Sequence, residues 1–109
     1  MHPFERDAIE IMIGSGGFAP DIWRQLEHAT VVRRARDAEA HVAYFDVGPV
    51  APTVVPSHIE MAADLDVDAY GTVTACLAIV NGRLASLSFE MPGPHWPEHP
   101  RVLGLAPKP

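Results

Sequence analysis

Residues Thr72–Met91 read TVTACLAIVNGRLASLSFEM, two alternating runs on either side of Asn81-Gly82. Asn-Gly between runs of this length is a strong hairpin signal, because both residue types tolerate positive φ. Loop length then sets the register. A two-residue loop pairs Val80 with Arg83, Leu77 with Ser86 and Val73 with Glu90, which mixes apolar and polar side chains on one face. A three-residue loop, Val80-Asn81-Gly82, pairs Leu77 with Ala85, Ala75 with Leu87 and Val73 with Phe89, and one face becomes wholly apolar. Burial of one face fixes register, so the three-residue loop is expected, with Gly82 left-handed in a bulge. The opposite face then holds Thr72, Thr74, Cys76, Ser86, Ser88 and Glu90.

Upstream of the hairpin the apolar period is first helical and then strand-like. Residues 3–13 predict a helix: Pro3 suits the first turn, Glu5 and Asp7 suit the dipole, and Phe4, Ala8, Ile11 and Met12 share a face. Gly14-Ser15-Gly16-Gly17 is expected to stop it. Residues 20–29 predict a second helix with Ile22, Leu26 and Ala29 inward and Trp23 at the margin. Val31–Arg36 reads as an edge strand, with arginines on both faces. Asp37–Ala40 is a turn. His41–Val47 alternates, with Ala43, Phe45 and Val47 on one side. Gly48–Pro56 holds three prolines and is a connection. His58–Ala63 is a third strand, and Asp64–Tyr70 is turn-like. Pro92–Pro109 contains six prolines in 18 residues and is expected to be an extended tail. The fold class is therefore α+β: two N-terminal helices packed on a four- to five-stranded antiparallel sheet, with residues 1–91 as one domain and 92–109 as a Pro-rich tail.

The chain has 109 residues, 48% hydrophobic and 20% charged, which is globular rather than disordered. Its single Cys cannot form an internal disulfide, so a reducing cytoplasm is the expected compartment. No apolar run approaches the ~20 residues of a membrane span. The opening MHPFERDAIE lacks the layout of a signal peptide. Formal net charge is −6. Residues 1–36 balance five acids against five arginines, whereas residues 37–82 carry seven acids and no Lys or Arg. Such a one-sign segment gives part of the surface a negative potential. Duplex nucleic acid is a poor partner for it, since phosphates need a basic stripe, and Arg33, Arg34 and Arg36 are only a small cluster.

Several motifs resemble sites and are better read as structure. Gly14-Ser15-Gly16-Gly17 lacks the Lys and Ser/Thr of a phosphate loop and follows a helix. Asp64, Asp66 and Asp68 match the first acids of a calcium loop, but Ala69 and Ala75 stand where that loop needs Gly and Glu, and the three acids are better read as sharing one solvated face at strand spacing. His95 and His99 lie about 12 Å apart in an extended Pro-rich chain, too far to share an ion. His41 and His58 fall on strands and could meet, but exposed or hydrogen-bonded histidines are the expected reading. Cys76 has Thr74, Ser86 and Ser88 as same-face neighbours, none of them a base, and Glu90 would raise its pKa. No cofactor and no metal are expected. Trp96, within Gly93-Pro94-His95-Trp96-Pro97, is expected either to pin the tail or to anchor a partner.

Trp23-Arg24-Gln25-Leu26, Ala29-Thr30-Val31-Val32-Arg33-Arg34, Val80–Leu87 and Trp96-Pro97 together resemble a group of small bacterial α+β proteins. Members join a helix bearing an Arg-Gln-Leu stretch to a strand, a hairpin about an Asx-Gly turn and a terminal Trp-Pro. The resemblance spans residues 20–97 and implies a fold without implying catalytic residues. In size and acidity the chain is also similar to immunity proteins that neutralise toxins, by analogy alone. The expected function is a non-enzymatic interaction module, possessing an acidic face that occludes a basic protein. Its partner-binding residues would be Glu60, Asp64, Asp66, Asp68, Tyr70 and Trp96. The alternative is a ligand-binding or enzymatic domain that uses Thr74, Cys76, Ser86, Ser88 and Glu90; a third reading is a homodimer. No nucleic acid or membrane partner is expected.

Overall fold

The computed structural model describes residues 1–16, 20–36, 40–49, 58–90 and 99–106. Helices α1 (Pro3–Gly16) and α2 (Pro20–His28) precede β1 (Thr30–Arg36), β2 (Ala40–Asp46), β3 (His58–Val67), β4 (Gly71–Val80), β5 (Arg83–Glu90) and β6 (Val102–Leu105). The six strands form one antiparallel sheet in the order β1-β2-β5-β4-β3-β6. The fold is α+β, with two helices against an antiparallel sheet. The sheet has more strands than the expected four or five, because residues 102–105 of the Pro-rich segment pair with β3. Trp96 lies outside the described residues, as do positions 37–39 of the expected turn and 50–56 of the expected connection.

The core fills the space between the helices and one sheet face. Ala8, Ile9, Met12 and Ile13 of α1 and Ile22 and Leu26 of α2 meet Val73, Ala75, Leu77 and Ile79 of β4, with Leu87 and Phe89 beside them. Ala43, Phe45 and Val47 are buried together, as their alternation predicts. β1 is an edge strand, also as predicted. β3 runs four residues past Ala63. Asp64 and Asp66 alternate with the buried Leu65 and Val67, which is a half-buried strand pattern, and the turn is confined to residues 68–70. α1 also runs into its glycine-rich signal, through Gly14 to Gly16. Gly14 faces Trp23 of α2, whose Cζ2 would lie 3.9 Å from an added Cβ.

The buried stripe of α1 is rotated from the one expected. Glu5 is only 3% exposed, while Ile11 is half-buried, so the stripe runs through 5, 8, 9, 12 and 13. Glu5 stands three residues after His2, whose backbone N–H donates to Glu5 Oε1 at 2.8 Å, the reciprocal half of a capping box. Arg34 of β1 donates to both carboxylate oxygens, at 2.7 and 2.8 Å. Burial pushes the Glu5 carboxyl up, but the Arg34 hydrogen bonds and charge and the His2 N–H outweigh it, leaving its pKa below the usual 4.5. The pair ties the start of α1 to the sheet edge.

The β4–β5 hairpin departs from its expected register in an informative way. Its loop has two residues, Asn81 (φ 52°) and Gly82 (φ 74°), with Val80 paired to Arg83 and Ile79 to Leu84. Both positive φ values are those of the turn that matches strand twist. An extra residue, Ala85, then enters β5, and the ladder resumes with Ala78 opposite Ser86, Leu77 opposite Leu87 and Ala75 opposite Phe89. The expected pairing of Leu77 with Ala85 is thus displaced by two residues. Two residues are one full side-chain period, so the face assignment holds although the register does not. Turn chemistry sets the tip, and the bulge restores the apolar face. The three-residue loop occurs instead at 68–70, with Ala69 at φ 60°.

Pairing between β2 and β5 ends at Tyr44 and Ser86, so Gly82 C=O and Leu84 N–H need other partners. Gln25 of α2, fully buried, supplies both: its Nε2 donates to Gly82 O at 2.8 Å and its Oε1 accepts from Leu84 N at 2.9 Å. A side-chain amide here continues the ladder that β2 leaves off.

Two predictions follow from these ties. Gln25→Met keeps the volume and leaves two buried backbone groups without this partner, at about 1–3 kcal/mol each. We expect a loss of about 2 kcal/mol or more, read as a lower urea midpoint at unchanged m. Arg34→Met leaves a buried carboxylate unpaired. A fully buried pair would lose about 3–5 kcal/mol, and the 43% exposure of Arg34 reduces this to roughly 2. Because the Glu5 pKa is depressed in the fold, its stabilising contribution is complete above about 4.5 and is lost as pH falls through the lower folded value. The wild-type and Arg34→Met stabilities should therefore differ fully at pH 7 and converge as pH falls below 4.5 through the lower folded value. A gap independent of pH would show that the ion pair is not its source.

Candidate functional site

The sheet face opposite the core carries no helix among the described residues. Strand register assembles it in transverse rows. Ala62, Cys76, Ser88, Val42 and Ala35 stand opposite one another across β3, β4, β5, β2 and β1. On one side runs the row Glu60, Ala78, Ser86, Tyr44 and Arg33. On the other run Asp64, Thr74, Glu90 and Ala40, and beyond them Asp66 and Thr72. Small side chains thus form a low floor through the middle of the face, where a strand-rich surface would ordinarily carry larger groups.

Charge on this face is divided. Glu60, Asp64 and Asp66 line β3, and Glu90 projects from β5. Asp64 Oδ1 accepts from Thr74 Oγ1 at 2.8 Å, which sets one carboxylate upright. His58 Nε2 lies 3.4 Å from Glu60 Oε1. At the far edge Arg33 sits over the Tyr44 ring, 4.2 Å from its centroid. A bulge in β1 at Val32 turns Arg33 to this face while Arg34 and Arg36 stay on the helix side.

The two residue sets read from the sequence as rival sites, Glu60, Asp64 and Asp66 on one hand and Thr74, Cys76, Ser86, Ser88 and Glu90 on the other, occupy this single face. Asp68 is exposed in the adjoining 68–70 turn, where its N–H donates to Arg101 O at 2.9 Å. Tyr70, in the same turn, is half-buried and packs against the core. Sequence reasoning missed Arg33 and Tyr44, and the bulge that places Arg33 has no local signature. Among the described residues, no three of His, Cys, Asp and Glu are grouped to hold a metal.

The chemistry of Cys76 follows from its neighbours. Burial pushes its thiol pKa up, and the carboxylates of Glu60 and Glu90 push it further. A thiol kept protonated is a poor nucleophile. No described helix is long and apolar enough to cross a membrane. No protein-family model, curated protein or solved structure matches this chain.

The pH profile of Cys76 alkylation by iodoacetamide should have its midpoint above that of a short Cys peptide. Glu90→Gln should move that midpoint down without changing the fold, since Glu90 is exposed. A midpoint at or below the peptide value would restore Cys76 as a nucleophile candidate.

Proposed function

We propose that this protein is a non-enzymatic interaction module, of the immunity or antidote type, which occludes a basic protein partner with the open face of its sheet. The observation that carries the reading is the gathering of Glu60, Asp64, Asp66 and Glu90 on one exposed face, next to a floor of small residues. Carboxylates arranged this way steer a cationic surface, and the low floor admits a protruding side chain from it. Asp68 extends the acidic rim. The raised Cys76 pKa favours this reading over an enzymatic one on the same face.

The test is association kinetics against basic proteins encoded by neighbouring genes, at two salt concentrations. Screening shortens the field to ~8 Å at physiological ionic strength, so association should slow as salt rises. Asp64→Asn, Asp66→Asn and Asp68→Asn together should slow it severalfold at low salt and leave the melting temperature nearly unchanged, because exposed acids contribute little to stability. A partner indifferent both to salt and to the triple change does not dock on this face.

A further inference from the structure

A second site lies on the helix side of the sheet, at the β1 edge. There the register brings Arg34, Ala43 and Leu87 into one row and Arg36, His41 and Phe89 into the next. The first turn of α1 stands over these rows and contributes Phe4 and Glu5. Between them is a pocket of about 250 Å³. Its walls are largely apolar, and the Phe4 and Phe89 rings meet at 5.6 Å, tilted by 48°.

The charges around this pocket do not cancel. Glu5 and Arg34 neutralise each other through two short hydrogen bonds. Arg36 also lines the pocket, and among the described residues it has no ion-pair or hydrogen-bond partner. Among the described residues, one guanidinium is thus left over beside an apolar, aromatic-walled cavity. Guanidinium geometry matches a carboxylate bidentately. A cavity of about 150 Å³ is enough for benzene, so this one has room for such a ring together with a short carboxylate arm.

We propose that this pocket binds a small aromatic monocarboxylate, its ring against Phe4 and Phe89 and its carboxylate on Arg36. A single negative charge matches the one guanidinium that has no ion-pair partner among the described residues. The doubly charged phosphate of a monoester would leave one charge unmatched in apolar surroundings. The Glu5–Arg34 pair holds the pocket wall rigid without consuming the charge of Arg36. This site is on the other side of the sheet from the acidic face, so neither reading depends on the other.

The experiment is a titration of the ¹⁵N-labelled protein with phenylacetate and, in parallel, with uncharged phenylacetamide. Phenylacetate should produce saturable amide shifts at His41, Ala43, Leu87 and Phe89. Phenylacetamide should bind at least tenfold more weakly, and Arg36→Gln should weaken phenylacetate by a similar factor while leaving the rest of the spectrum in place. Equal binding of acid and amide, full affinity in Arg36→Gln, shifts confined to the open face around Cys76, or no saturable shift up to about 10 mM, ten times a millimolar Kd, would each overturn the proposal.

Discussion

The amide of Gln25 joins the two halves of this protein. The α2 helix could in principle slide over an apolar sheet face, since hydrophobic contact is non-directional. Two hydrogen bonds, to Gly82 C=O in the hairpin turn and to Leu84 N–H at the start of β5, remove that freedom. They also relieve a difficulty that the sheet creates for itself. β2 separates from β5 after Tyr44, and the hairpin tip would otherwise bury backbone groups with no ladder partner. The Arg-Gln-Leu stretch and the Asn-Gly turn, which lie 57 residues apart at Gln25 and Gly82, are therefore one structural unit. A sequence carrying both carries the contact between helix layer and sheet.

Much of the fold was legible because burial imposes period on sequence. Ala43, Phe45 and Val47 alternate inward, and the faces of β4 and β5 were separable residue by residue. The failures have physical causes. Glu5 reads in sequence as a first-turn acid that suits the helix dipole, and the expected stripe passes through Phe4 and Ile11 instead; its burial is compensated by the His2 N–H and by a bidentate partner 29 positions away. Asp64 and Asp66 resembled a turn or an ion-binding loop because aspartate is a poor strand former, but Leu65 and Val67 between them already followed the two-residue period of a strand. The Ala85 bulge could not be read at all, since it reconciles turn geometry with a buried face only in three dimensions.

The candidate site was legible in composition and illegible in arrangement. The lack of Lys and Arg between residues 37 and 82 pointed to an acidic surface. It did not indicate that the acids of β3 share a face with Cys76 and Ser88, because that requires the order β5-β4-β3 and the register within it. The sheet thereby carries different chemistries on its two sides: β3 carboxylates, small residues and the Arg33–Tyr44 pair outward, and Arg36 beside the Phe4 and Phe89 rings inward.

The margins of the sheet have a consequence for how the molecule meets others. Exposed strand edges are templates for further strands, and long flat ones lead to fibres. Here one margin is β1, interrupted by a bulge at Val32 and studded with Arg33, Arg34 and Arg36. The other is β6, four residues long, whose pairing with β3 shifts register between Asp66 opposite Gly104 and Val67 opposite Val102. Neither offers a regular, neutral ladder to a neighbouring chain. Like charges repel where two β1 edges approach, and β6 is too short to hold a register. Among the described residues, both margins of the sheet thus disfavour its extension by added strands.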